Sequence, residues 1–157
     1  MKLVAHVFTS LALGLAMATP SVRAQREKLP PGDLDFVEKH WPEAKKTNTG
    51  IRYVVLREGE GDSPKAGHKV SVLYVGRLLN GQIFDQTEDR EQPYRFRIRR
   101  HMVIEGWDQI LQLMKPGEKR LVIIPPEFAY GTRGQPPGIP RNATLVFEIE
   151  LLRFSTD

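Results

Sequence analysis

From residue 51 onward, apolar and polar positions alternate in short runs separated by turn residues, the pattern of half-buried strands. Residues 51–57 form a first strand and residues 69–79 a second, with Val70, Val72 and Tyr74 on one face. Asn80-Gly81 then predicts a two-residue hairpin whose two central positions both take positive φ. Residues 82–86 return antiparallel, residues 87–93 make a polar loop, and residues 94–98 give a short strand with Phe96 and Ile98 on one face. The period changes only once. Over residues 104–114, Ile104, Trp107, Leu111 and Met114 fall at spacings of three and four, which predicts a short helix stopped by Pro116-Gly117. Residues 119–124 are a further strand, residues 131–142 a Gly- and Pro-rich loop, and residues 143–154 a closing strand with Leu145, Phe147, Ile149 and Leu151 on one face. Antiparallel strands with one short helix predict an α+β domain in which the helix packs on one face of the sheet.

The first 50 residues follow other patterns. Lys2 followed by the apolar run of residues 3–17, with Val22-Arg23-Ala24 after it, has the layout of a cleaved secretory signal peptide. Cleavage is expected after Ala24, with Ala18 as the alternative. The run is shorter than the ~20 apolar residues that span a bilayer, so no stable membrane insertion is expected. Residues 25–50 read as a lead-in: a polar Pro/Gly stretch, then a helix capped by Asp33 and reaching about residue 45 with Leu34, Val37 and Trp41 on one face. Pro42 offers an earlier stop. The organisation is therefore a signal peptide over 1–24, a lead over 25–50 and one domain over 51–157. The ending Phe154-Ser155-Thr156-Asp157 is not an ER-retention signal, which favours the periplasm or secretion over the ER lumen.

Composition narrows the chemistry. The 157 residues include no cysteine, which removes disulfides, thiol nucleophiles and Cys-ligated metal centres together. A net charge of +4 is modest, and in Tyr94-Arg95-Phe96-Arg97-Ile98-Arg99 three arginines share one strand face, the signature of a solvated sheet rather than a nucleic-acid track. The four histidines (His6, His40, His68 and His101) stand in no metal-ligand spacing, and neither a nucleophile elbow nor a phosphate-binding Gly loop is present. No metal or other cofactor is expected. What stands out is a set of aromatic and branched residues at strand ends and turns, with the carboxylate of Asp85 beside Phe84, where a buried acid needs donors.

In their order, these residues resemble the FKBP family of peptidyl-prolyl cis/trans isomerases. Tyr74 through Gly81 followed by Phe84-Asp85 is similar to the family's tyrosine strand, Gly turn and Phe-Asp pair. Val103-Ile104-Glu105-Gly106-Trp107 is similar to its Val-Ile-x-Gly-Trp. Residues 117–131, ending Phe128-Ala129-Tyr130-Gly131, and residues 143–147 are similar to its second half. The resemblance covers residues 51–154. It implies a five-stranded bent antiparallel half-barrel wrapped on one helix, and isomerisation of X-Pro bonds without covalent chemistry. Its catalytic set is Tyr74, Phe84, Asp85, Trp107 and Tyr130. Substrate would lie against Tyr94, Val103, Ile104, Ile139 and Phe147, and Arg90 together with Tyr74 would hold Asp85. The partners implied are proline-containing polypeptides in exported proteins, and macrolide inhibitors of the family. Arg99 replaces a glycine common in the family, Met102 a position that is often polar, and Gln135 and Gly138 stand in the loop that closes over ligand. Glu118 is placed at the turn after Pro116-Gly117, with no part in turnover.

Overall fold

The computed structural model describes residues 26–157; the expected signal peptide lies outside the described residues. The elements in chain order are helix α1 (Pro31–His40), strands β1 (Lys45–Lys46), β2 (Arg52–Arg57), β3 (Lys69–Leu78), β4 (Ile83–Thr87) and β5 (Tyr94–Arg97), helix α2 (Glu105–Leu111), β6 (Lys119–Ile124), a 3₁₀ turn (Pro126–Phe128) and β7 (Leu145–Ser155). All strands pair antiparallel in one sheet of order β1-β2-β6-β7-β3-β4, with β5 added on β3 beyond its pairing with β4. The expected α+β class and bent antiparallel sheet are found. The strand count is seven rather than five, and the two helices are the one expected in the lead and the one expected in the domain.

Alternation along the strands explains which side is filled. Val70, Val72 and Tyr74 of β3, Val122 and Ile124 of β6, and Leu145, Phe147, Ile149 and Leu151 of β7 point inward and pack on Trp107, Ile110 and Leu111 of α2. The opposite residues of β6 and β7, Ile123 and Val146, meet a second, smaller cluster with Leu29 and Val37. Helix α1 thus covers the outside of the sheet. It is shorter than expected and is not capped by Asp33: Pro30 is the N-cap, and Asp33 instead accepts a 2.6 Å hydrogen bond from the Thr144 hydroxyl. The lead is tied down further by Glu27, whose two carboxylate oxygens take 3.0 and 2.9 Å bonds from Arg52. That bond, with the amides of Leu29 and Lys28, holds the Glu27 carboxyl down to about 2.

Several local expectations change. Leu78–Gly81 is a β-turn in which only Gly81 has positive φ (88°), while Asn80 Oδ1 accepts from the Gln82 amide. A side-chain bond of this kind lets Asn80 make the turn without the left-handed conformation. Helix α2 is two turns long and continues as turns to Met114. Strand β5 ends at Arg97, so Arg99 leaves the expected row of arginines and takes φ 59°. A glycine accommodates that conformation at little cost, which accounts for the family preference there. Here Arg99 is held by its amide on Asp108 (2.8 Å) and its guanidinium on Glu105 (2.6 Å). Glu118 directly follows the Pro116-Gly117 turn, as expected, but is buried there. It is 2% exposed, accepts from the Lys115 amide and pairs with Arg120, so it is part of the buried frame under the β6 turn.

Candidate functional site

The inner face of β3, the start of α2 and the 3₁₀ turn converge on one cavity of about 180 Å³. Its lining is Tyr74, Phe84, Asp85, Tyr94, Met102, Val103, Ile104, Trp107, Tyr130 and Phe147. Trp107 is 4% exposed and forms the base. Tyr74 meets its ring edge to face at 4.8 Å and Phe147 at 5.3 Å, and Phe84 meets Phe147 edge to face at 5.5 Å. Such edge-to-face contacts are favourable for the ring quadrupoles, and flat rings meeting at right angles leave a slot that neighbouring side chains do not fill.

Two glycines make this approach possible. A Cβ on Gly76 would lie 2.7 Å from both Phe147 and Phe84, so any side chain there pushes the wall rings into the cavity. On Gly106 it would lie 2.6 Å from Ile124, lifting α2 and Trp107 off the sheet.

Polar groups are few, and their placement is specific. The Tyr74 hydroxyl donates to Asp85 Oδ2 at 2.6 Å. Burial first, and the adjacent Asp85 second, push the Tyr74 phenol well above its usual range, so it stays a donor at any physiological pH. Burial also raises the Tyr130 phenol, whose hydroxyl has no protein hydrogen-bond partner among the described residues. The indole Nε1 of Trp107 is buried without a partner. Ile104 is the N-cap of α2, and its backbone N–H donates to no described protein acceptor. Asp108, buried behind the site, fixes the turn from β5 into α2 through its bond to Arg99; burial raises its carboxyl above the usual range.

The structure therefore brings together all the expected site residues except two. Ile139 is buried in the core and opens instead on an adjoining cavity with Phe84, Asp85, Tyr130 and the 135–138 loop. Arg90 does not reach Asp85. Its guanidinium lies 2.7 and 2.9 Å from the carboxylate oxygens of Glu150 on the outer face of the sheet. The reason is register: Asp85 points inward from β4, whereas Glu150 stands opposite Leu73 on the outward face of β7, where the loop carrying Arg90 folds over it. Met102 is the lining residue not expected in the site. It is 53% exposed at the rim, and its position next to Val103-Ile104 was the available signal. Among the described residues no cluster of three or more acidic or histidine side chains could hold a metal, and no helix is long and apolar enough to cross a membrane.

Comparisons with known proteins agree with this geometry. Residues 61–152 match the model of the FKBP-type peptidyl-prolyl cis-trans isomerase family. FK506-binding protein 1 of Dictyostelium discoideum is 44% identical over 105 residues, covering 67% of this chain and 98% of that protein. The peptidyl-prolyl cis-trans isomerase FKBP1A of Xenopus laevis is 45% identical, covering 66% and 97%. Among solved structures, a peptidyl-prolyl cis-trans isomerase from Pseudomonas syringae superposes with TM-score 0.70 at 41% identity, covering 79% of this chain and 91% of that one. FkpA from Escherichia coli gives 0.71 at 41% identity, covering 79% and 58%. An aromatic cavity between a bent sheet and a short helix, matched in sequence across nearly the whole domain, places this chain in the FKBP-type peptidyl-prolyl cis-trans isomerase family.

Proposed function

We propose that the protein speeds rotation about X-Pro bonds in exported polypeptides, with the proline ring seated on Trp107. The observation that supports this most directly is the cavity itself: an aromatic slot with a small number of unused donors around it. Rotation about a peptide C–N bond costs ~18–20 kcal/mol because resonance is lost. The twisted amide has a less delocalised nitrogen and a smaller dipole, so an apolar slot favours it over the planar form. Catalysis is then preferential binding of a distorted conformer. A thousandfold acceleration needs only about 4 kcal/mol of such preference.

The roles follow from position. Tyr94, Val103, Phe147 and Phe84 wall the ring. The Ile104 N–H and the Tyr130 hydroxyl, both without protein acceptors, hold carbonyls of the bound chain. Tyr74 fixes the Asp85 carboxylate at the edge of the slot, facing the twisting amide. Phe84 and Tyr130 also border the cavity formed with Ile139 and the 135–138 loop, which receives residues flanking the proline. Macrolides of the kind named in the relatives compete for the same slot. Residues 1–24 act as the export signal, and the mature chain begins near Gln25 in the periplasm or outside the cell.

The test is a peptide isomerisation assay on the purified protein, with substrates that vary the residue before proline. Acceleration is expected, greatest with Leu or Phe before proline. An uncatalysed rate at micromolar protein would discard the catalytic reading and leave a module that only holds proline-containing chains.

A further inference from the structure

The outward face of the sheet, turned away from the aromatic cavity, has two electrically different halves. In one, acids and bases alternate: Glu148 is shared by Arg77 and Lys119, and Glu150 by Arg57 and Arg90. Both cations of the first pair hold the Glu148 carboxyl below its usual range, Lys119 most strongly. In the other half the compensation stops. Ser71 on β3 stands opposite Arg95 of β5 on one side and Arg153 of β7 on the other, and Lys69 precedes it by two residues on the same face. No acidic side chain pairs with Lys69, Arg95 or Arg153 among the described residues.

Strand spacing sets the geometry. Two adjacent strand separations place the Cα atoms of Arg95 and Arg153 about 10 Å apart across Ser71. Both arginines are exposed and share one face, an arrangement of like charges that opposes pairing. Between them lies a notch of about 200 Å³ lined by Lys69, Ser71, Arg95, Arg153, Phe154 and Ser155. At ~30 Å³ per water this is room for a small oxyanion and its remaining hydration. Ser71 forms the base: it is 6% exposed, and its hydroxyl makes no hydrogen bond to a described residue.

We propose that this notch binds a tetrahedral phosphate group. The guanidinium forks of Arg95 and Arg153 take its oxygens from two sides, Lys69 adds a third positive charge, and the Ser71 hydroxyl donates from below. Because Ser71 and Tyr74 point to opposite faces of β3, a bound phosphate leaves the aromatic cavity free. Two sources share this chemistry: free inorganic phosphate, and the headgroup of an anionic phospholipid.

The experiment follows backbone amides by heteronuclear NMR while sodium phosphate replaces sodium chloride at constant ionic strength. Saturable shifts are expected at Ser71, Arg95 and Arg153. The double variant Arg95→Gln/Arg153→Gln should weaken binding tenfold or more, whereas Lys39→Gln/Lys45→Gln, an equal loss of two charges at exposed sites elsewhere, should leave it unchanged. Without phosphate the double variant should melt no lower than wild type, since it sheds uncompensated repulsion. Cosedimentation with phosphatidylglycerol vesicles but not phosphatidylcholine, lost in the same double variant, would identify the headgroup as the source. Saturable phosphate binding without cosedimentation would identify the free ion. Shifts that do not saturate, that chloride reproduces, or that persist in the double variant overturn the site, as does a lower melting point of the phosphate-free double variant.

Discussion

The sheet buries apolar surface on both of its faces, but with different materials. Inside, rings dominate: Tyr74, Phe147 and Trp107 meet edge to face, and a cavity remains between them. Outside, under α1, the buried residues are Leu29, Val37, Ile123 and Val146, all aliphatic, with Leu34, Trp41, Leu79 and Leu121 around them. Compact branched chains such as these interdigitate at close range. Rings braced edge to face, with centroids 4.8–5.5 Å apart, fill space less completely. The first kind of packing holds an element in place; the second kind keeps a slot open in the absence of ligand.

The sharpest test of this contrast is Asp85→Ala. It strands the Tyr74 hydroxyl and removes the carboxylate at the slot edge, so turnover should fall tenfold or more, equivalent to losing ~1.4 kcal/mol of transition-state preference. The protein should stay folded, and Asp85→Asn, which keeps an acceptor for Tyr74, should recover part of the loss. Equal turnover in wild type and Asp85→Ala would remove Asp85 from the site.

On the other face, Val37→Ala should lower stability by about 2 kcal/mol in a denaturant titration while leaving turnover per folded molecule unchanged. A fall in turnover at denaturant-free concentrations would show that the two faces are coupled through β6 and β7.

The smallest effect concerns acid. The Glu27 carboxyl is lowered in the folded chain, so the stability it contributes is fully present above its ordinary pKa near 4.5 and disappears as pH falls toward 2. Glu27 is partly solvated, which limits the contribution to about 1 kcal/mol. Glu27→Gln should flatten that part of the pH–stability curve, and the curve of the variant should match wild type below pH 2.

The aromatic side of the sheet was legible in the sequence because its residues sit in local motifs: Phe84-Asp85, Val103 to Trp107, and Phe128 to Gly131. Each motif is a turn or strand end whose neighbours fix where its side chain points. The other side was not. Val37 is visible as one face of a short helix, but nothing local says that this face meets Ile123 and Val146, far along the chain. Long-range partners of charges were misread for the same reason. Arg90 was expected on Asp85, which is near in sequence, and stands on Glu150. Glu118 follows a Pro-Gly turn and looks solvated, yet it is buried because Arg120, two residues later, folds back on it. The row of arginines on β5 was read correctly as a sheet face as far as Arg97. That β7 would bring Arg153 to the same face could be seen only from the register.

Register also decides when this protein can fold. The last strand, β7, is not at an edge; it lies between β6 and β3 and pairs with both along most of its length. Until it arrives, β2–β6 and β3–β4–β5 are separate ribbons, too small to hold a core of their own. Closing the sheet joins residues near 70 to residues near 154, the kind of distant pairing that slows folding to milliseconds or longer. For a chain proposed to leave the cytoplasm by threading through a pore, N-terminus first, that delay is useful. A chain still missing β7 stays slack, so on that proposal the stretch in transit would not resist being pulled through.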